Sequence, residues 1–205
     1  MTNLQTLLQT SAVSHGHLCP RQVLGVRMGL LGGLWLGIPL PQANKRLLTF
    51  VETNGCGSDG IGVATGCQVG RRTMHVLDYG KLAATFIDTD TERAIRITPR
   101  LSGRQRAAFY APEATTSWEA QLLGYQRMPD IELLTVQEVA LNFSLEKWLS
   151  KPGLRVICAN CGEEIMNERE VWHNGEFVCR PCAGERYYEI TQGLEQDNQK
   201  KWIKA

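Results

Sequence analysis

Residues 14–36, SHGHLCPRQVLGVRMGLLGGLWL, are where the fold turns. Pro20 opens an apolar helix running to about Leu36, because proline lacks the N–H that would be orphaned at a first helical position. Gly25, Gly29 and Gly33 recur on it every four residues. Each costs a helix roughly 1 kcal/mol against alanine. The sequence therefore predicts that another backbone comes close along that stripe. Residues 23–40 are the longest apolar stretch, but Arg27 and the glycines interrupt it, which argues against a membrane span.

Working outward, residues 3–12 carry leucines at 4, 7 and 8 and suit a short amphipathic helix, broken by residues 14–19. Residues 1–9 hold no Lys or Arg, so no signal peptide is expected and the protein reads as soluble and cytoplasmic. Downstream, 39–44 is a loop, 46–53 a buried strand, 54–57 a turn and 58–70 a helix. Residues 82–88 and 94–98 form strands joined by a hairpin. Residues 99–110 and 116–128 are helical, and 133–139 is rich in β-formers. Alternating helices and strands imply an α+β or α/β core. The 205 residues suffice for one substantial core and a small second module. Lys and Arg number 22 against 21 Asp and Glu, and a chain this neutral lacks the global basic field of a nucleic-acid coat or a membrane-surface binder.

Lys151-Pro152-Gly153 marks a boundary, dividing a core domain at 1–150 from a zinc-binding domain and polar tail at 151–205. The tail, 189–205, reads as a helix end or an extension. Cys158-Ala-Asn-Cys161 and Cys179-Arg-Pro-Cys182 are two C-x2-C pairs separated by 17 residues, within the spacing of zinc sites. Asn174-Gly175 lies between β-formers and predicts a hairpin. Cys158, Cys161, Cys179 and Cys182 then close a tetrahedral structural Zn²⁺ in a zinc ribbon or treble clef, with His173 a hairpin residue. Free or disulfide-bonded cysteines, or a rubredoxin-like iron site, are the alternatives. Arginines 169, 180 and 186 alternate with glutamates, which argues against nucleic-acid binding.

A second constellation lies at His15, His17 and Cys19. Their spacing of two puts all three on one side of an extended loop. Cys19 precedes Pro20 and so stands at a helix N-cap, where the helix dipole favours a thiolate. Two imidazoles and a thiolate suit Zn, Ni, Cu or Fe. The plainer reading is a helix cap with histidines bonded to backbone carbonyls. Cys56 follows a strand in a Gly-rich turn, Asp59 caps a helix or serves catalysis, and Cys67 is a small core residue or a ligand. Gly60-x-Gly62 has its third glycine one residue too late for a dinucleotide loop.

Together, His15-Gly-His-Leu-Cys-Pro20, the 56–67 stretch ending Thr65-Gly-Cys67-Gln-Val-Gly70, and Leu77-Asp-Tyr-Gly-Lys-Leu-Ala-Ala-Thr-Phe86 resemble the FmdE-like family, named for a component of formylmethanofuran dehydrogenase. The four-cysteine module often follows that family's core. The resemblance implies an α+β fold: a mixed helix/sheet core, then a small treble-clef or zinc-ribbon domain. It implies a cleft lined by the His/Cys loop and a homodimer. His17, Cys19 and Cys56 match its polar cleft positions, with Asp59 and Cys67 nearby, and Lys81 matches the D-Y-G-K lysine. Arg21 departs from the family's usual glycine, Gly60 and Gly62 from Ala and Gln, and Arg72-Thr-Met74 from a Gly-Asn-Leu-type run. The function expected is a metal- or thiol-dependent redox enzyme, or an accessory subunit of a partner enzyme, linked to anaerobic one-carbon metabolism. Cys19, Cys56, Asp59 and Lys81 are its candidate catalytic residues, acting on an unidentified small-molecule substrate. A second transition metal (Zn, Ni or Fe) would be held by His15, His17, Cys19 and Cys56. The alternative is a protein-interaction or metal-delivery module without catalysis.

Overall fold

Pro20 does start a helix, α2 (Pro20–Leu36), in the computed structural model of the chain, which describes residues 3–149 and 153–191. Cys19 is its N-cap, and Gly37, at φ 68°, ends it. Gln22 fixes the entry. Its Oε1 accepts from the Cys19 N–H at 2.8 Å, while its Nε2 donates to the carbonyl and hydroxyl of Ser11 in the preceding helix, α1 (Leu4–His15). Helix α1 runs further than the expected residues 3–12, because the chain turns only at Gly16, whose φ of 89° suits glycine.

The chain continues with β1 (Leu47–Val51), α3 (Cys56–Thr65), β2 (Met74–Val76), β3 (Ala84–Asp88) and β4 (Ala94–Pro99). Then come α4 (Leu101–Tyr110), α5 (Ser117–Arg127), α6 (Asp130–Leu133), β5 (Leu134–Val139) and α7 (Leu145–Trp148). The five strands form one sheet in the order β2-β1-β3-β4-β5. Only the β1–β2 pair is parallel among them. The α+β class is thus observed. Strand β1 is buried on both faces. Leu47 and Val51 join Phe86, Ile95 and Ile97 against the helices, while Leu48 and Phe50 pack with Ile87 and Leu145 on the opposite face.

Two expectations need correction. The helix expected over 58–70 starts at Cys56 and stops at Thr65, because Gly66, at φ 77°, returns its N–H to the Gly62 carbonyl. The turn expected over 54–57 therefore ends inside that helix. Strand β2 has no counterpart among the expected elements. Its three residues are too few to show a period, and its pairing to β1 is set by the fold.

Helices α2 and α3 meet through glycine. A methyl on Gly25 would lie 2.2 Å from the Gly57 carbonyl oxygen, and one on Gly60 would lie 2.4 Å from the Gln22 carbonyl oxygen. Gly29 faces Ala64, Gly32 makes room for the Phe86 ring, and Gly33 meets the Leu40 side chain. The predicted close backbone approach thus holds at Gly25, whereas Gly33 chiefly accommodates a side chain. Burial of Val23, Leu24, Val26, Met28, Leu31 and Leu36 decides the balance. Each stabilises by roughly 1.5–3 kcal/mol, against about 1 kcal/mol lost per helical glycine. Arg27, the charge in the apolar stretch, donates to the carbonyls of Tyr125 and Met128 and pairs with Asp130. No helix among the described residues is long and apolar enough to cross a membrane.

Contacts divide the chain into Met1–Trp148 and Leu149–Ala205. The expected linker residues Lys151 and Pro152, and the tail from 192 onward, lie outside the described residues. The second unit has two hairpins: β6 (Arg155–Ile157) with β7 (Glu164–Met166), and β8 (Val171–His173) with β9 (Glu176–Val178). Asn174 and Gly175 form the turn of the second hairpin, both at positive φ, as their sequence predicts. The core of this unit is small: Cys158, Ile165 and Val178, with Cys179, Cys182 and Ala183 against them.

Gly60→Ala should destabilise the core by about 1–3 kcal/mol, since backbone, not a flexible side chain, stands in the way of the methyl. Gly70→Ala, with nothing within 4 Å, is the control and should shift stability by less than about 0.5 kcal/mol. Urea midpoints measure both; equal midpoints for Gly60→Ala and wild type would refute the glycine contact.

Candidate active site and zinc centre

The α2–α3 crossing sets the two helix starts side by side. Cys19 is the buried N-cap of α2 and Cys56 is the first residue of α3. Both line a cleft of about 520 Å³ with Pro20, Arg21, Arg104, Ser117, Trp118 and Gln121. Burial raises the Cys56 thiol above its ordinary range, and the neighbouring Cys19 side chain raises it further. Arg21 pulls the other way without prevailing. Cys56 is therefore a thiol, not a thiolate, at neutral pH. Both cysteines are free.

Beside the cleft, His15 Nδ1 lies 2.8 Å from Asp59 Oδ2. An ionised carboxylate only accepts, so in this pairing it is the Nδ1–H that donates. Asp59 thus orients a histidine rather than capping α3, whose N-cap is Gly55. This carboxylate–imidazole pairing is the one that fixes a ligating or proton-carrying histidine. His15 is the last residue of α1, not part of an extended loop, so the alternation of an extended chain does not apply to it. The rings of His15 and His17 stand 5.1 Å apart, and His17 is exposed.

Lys81 is exposed and is not among the cleft-lining residues. Its backbone is anchored instead: the N–H groups of Tyr79 and Lys81 both donate to the Glu52 carbonyl. The Glu52 carboxylate accepts two bonds from Arg96, at 2.6 and 2.7 Å. The D-Y-G-K turn thereby places Leu82 against Gly57, next to Cys56; a methyl on Gly57 would lie 2.2 Å from a Leu82 methyl carbon. Cys67 is a core residue. It is 2% exposed, its Sγ donates to the Leu47 carbonyl at 3.4 Å, and burial raises its thiol. The cleft-lining residues that sequence reasoning missed are Arg104, Ser117, Trp118 and Gln121. They come from α4 and α5, and each alone looks like an ordinary surface residue.

The C-terminal cysteines are gathered as their spacing predicts. Among the described residues, Cys158, Cys161, Cys179 and Cys182 are the group of His, Cys, Asp or Glu whose ligand atoms all lie within 4.8 Å of one another. Cys161 and Cys179 sulfurs are 3.8 Å apart. Four Zn–S bonds of about 2.3 Å at tetrahedral angles give edges of about 3.8 Å, so the sulfurs fit zinc. The Cys179 N–H donates to Cys158 Sγ at 3.2 Å. Backbone N–H groups, that of Cys161 first, hold the Cys158 thiol down to about 6. Cys161 is raised to about 12 by the sulfurs around it, chiefly Cys158, against the lowering effect of the Glu163 N–H. A bound cation would draw all four sulfurs to the thiolate form and relieve their crowding.

With so small a core, the second unit depends on its metal. Chelation should unfold it, because structural zinc contributes about 10–16 kcal/mol in finger peptides. Zinc content and backbone amide NMR measure this; signals of residues 155–185 that persist after zinc removal would refute it. Cys161→Ser should lose the zinc likewise.

Residues 14–135 match the family described as FmdE, Molybdenum formylmethanofuran dehydrogenase operon. Residues 153–188 match the prokaryotic dksA/traR C4-type zinc finger, which together with the sulfur geometry establishes the module as a four-cysteine zinc site. A relative from Archaeoglobus fulgidus, named a probable S-adenosyl-L-methionine-binding protein, is 35% identical over 94% of this chain. The chain spans 57% of that protein's length. The crystal structure of a tungsten formylmethanofuran dehydrogenase FmdE-like protein from Syntrophus aciditrophicus superposes with a TM-score of 0.57 at 20% identity. The match covers 92% of this chain and 96% of that one, and at that identity shows a shared fold. The family match takes in more than half of the sequence and contains the His/Cys segment, both cleft cysteines and the D-Y-G-K turn: the chain belongs to the FmdE family.

Proposed function

We propose that the core cleft is a thiol-centred catalytic site acting on a small-molecule substrate of one-carbon metabolism. The observation that carries this is the convergence of Cys19 and Cys56, from two different helices, on one cleft. In the dithiol form the two thiols give two electrons and two protons to a disulfide substrate. That substrate leaves as two thiols while Cys19 and Cys56 close a disulfide. His15, oriented by Asp59, is the proton carrier of this reading, with Lys81 an outer charge on the same turn as Leu82. The one-carbon link rests on the family and on the relative named for S-adenosyl-L-methionine, a methyl donor.

A transition metal is the second form of the same site. The donor set of His15, His17, Cys19 and Cys56 suits Zn, Ni or Fe in type. Its ligand atoms are not gathered as those of the zinc module are, so the thiol form is the one the geometry favours. The homodimer, the partner enzyme and the cytoplasmic location belong to this proposal too.

Peptide mass spectrometry on the full-length protein after mild oxidation should find a Cys19–Cys56 disulfide that dithiothreitol reverses and Cys19→Ser abolishes. Elemental analysis of protein purified without chelators should return one metal, zinc. A second metal lost in Cys19→Ser would move the site to the metal form. Neither disulfide nor second metal would refute both.

A further inference from the structure

The cleft that holds the two cysteines is also a cationic one. Arg21 and Arg104 line it, and no acidic residue does. Other arginines of the core meet carboxylates, among them Arg27 with Asp130, Arg46 with Asp88, Arg96 with Glu52, Arg106 with Glu132 and Arg127 with Glu113, while Arg71 and Arg100 donate to backbone carbonyls. Among the described residues no ion pair joins Arg21 or Arg104 to an acid. Both are exposed side chains, and their planar donor forks match carboxylate and phosphate. The starts of α2, α3 and α5 lie at the same cleft; α2 has no acidic residue in its first turn and adds a positive potential there, which Asp59 and Glu119 offset at the starts of α3 and α5.

Trp118, in the first turn of α5, lines this cleft and leaves 52% of its surface open. An indole at the wall of a cationic cleft offers a stacking face for a flat ring. The volume of about 520 Å³ exceeds what a bare inorganic anion needs and falls within the range of small-molecule sites.

We infer that this cleft binds a small molecule carrying a flat ring and an anionic group, the ring on Trp118 and a phosphate or carboxylate between Arg21 and Arg104. The inference names the ligand class of the cleft described above and rests on that reading for the place of the chemistry. The ligand's anionic end is then held at the starts of α2 and α3, where Cys19 and Cys56 stand, which puts the rest of the molecule within the same small cleft as both thiols.

Isothermal titration of the reduced, zinc-loaded full chain tests it with two matched probe pairs: AMP against adenosine, and nicotinate against nicotinamide. At low salt the anionic member of at least one pair should bind about tenfold or more tightly than its neutral partner. AMP preferred identifies phosphate, nicotinate preferred identifies carboxylate. Arg104→Gln should cut that preference to below about threefold without changing the melting temperature, and Arg21→Gln should do the same. Trp118→Ala should weaken both members of the pair alike and leave the preference intact. No anion preference in either pair, or a preference unmoved in both arginine variants, overturns the inference. Titration of the reduced protein involves no thiol step, so this result and the disulfide experiment succeed or fail separately.

Discussion

Everything distinctive in the core depends on two helices touching through their backbones. Gly25 of α2 faces the Gly57 carbonyl, and Gly60 of α3 faces the Gln22 carbonyl. With side chains at these positions the axes would sit further apart, since interhelical distance follows the size of the contact residues. The contact falls within two turns of both helix starts. It therefore fixes not only the packing of α2 on α3 but the separation of Cys19 and Cys56. Gln22 strengthens the arrangement by joining the Cys19 N–H to Ser11 of α1, and the His15–Asp59 bond ties the end of α1 to the first turn of α3.

The core cysteines show how placement decides chemistry. Cys67 sits among Leu47 and Met74, where burial keeps its thiol protonated and away from any substrate. Cys56 has a raised thiol too, yet it opens onto a cleft with a second sulfur beside it. The helices α4 and α5 supply the cleft's other wall, and with it a positive charge and an aromatic face. Arg27 secures that wall by holding the C-terminal end of α5 to the middle of α2.

The second unit solves the stability problem differently. Its apolar interior is little more than Ile165, Val178 and the cysteines themselves. Four sulfurs at zinc-binding separation take the place of a hydrophobic core, and the two hairpins serve to present them.

The sequence alone determined much of this. Pro20 and the cysteine before it located the start of α2, the glycine spacing announced a backbone contact, and the two C-x2-C pairs with Asn174-Gly175 specified a zinc module. These signals are local: a missing N–H, a missing Cβ, a turn that tolerates positive φ, a ligand spacing. The tertiary structure alone decided what each glycine meets, so that Gly25 touches backbone while Gly33 accommodates Leu40. It also decided that Asp59 serves His15, that β2 joins β1, and that Arg104 and Trp118 share a cleft with Cys19 and Cys56. In the last three pairings His15 and Asp59, Thr49 and Met74, and Cys19 and Trp118 lie roughly 25 to 100 positions apart along the chain. No local pattern links them, because their meeting is a property of helix packing and sheet order, and packing depends on the burial of the whole core at once.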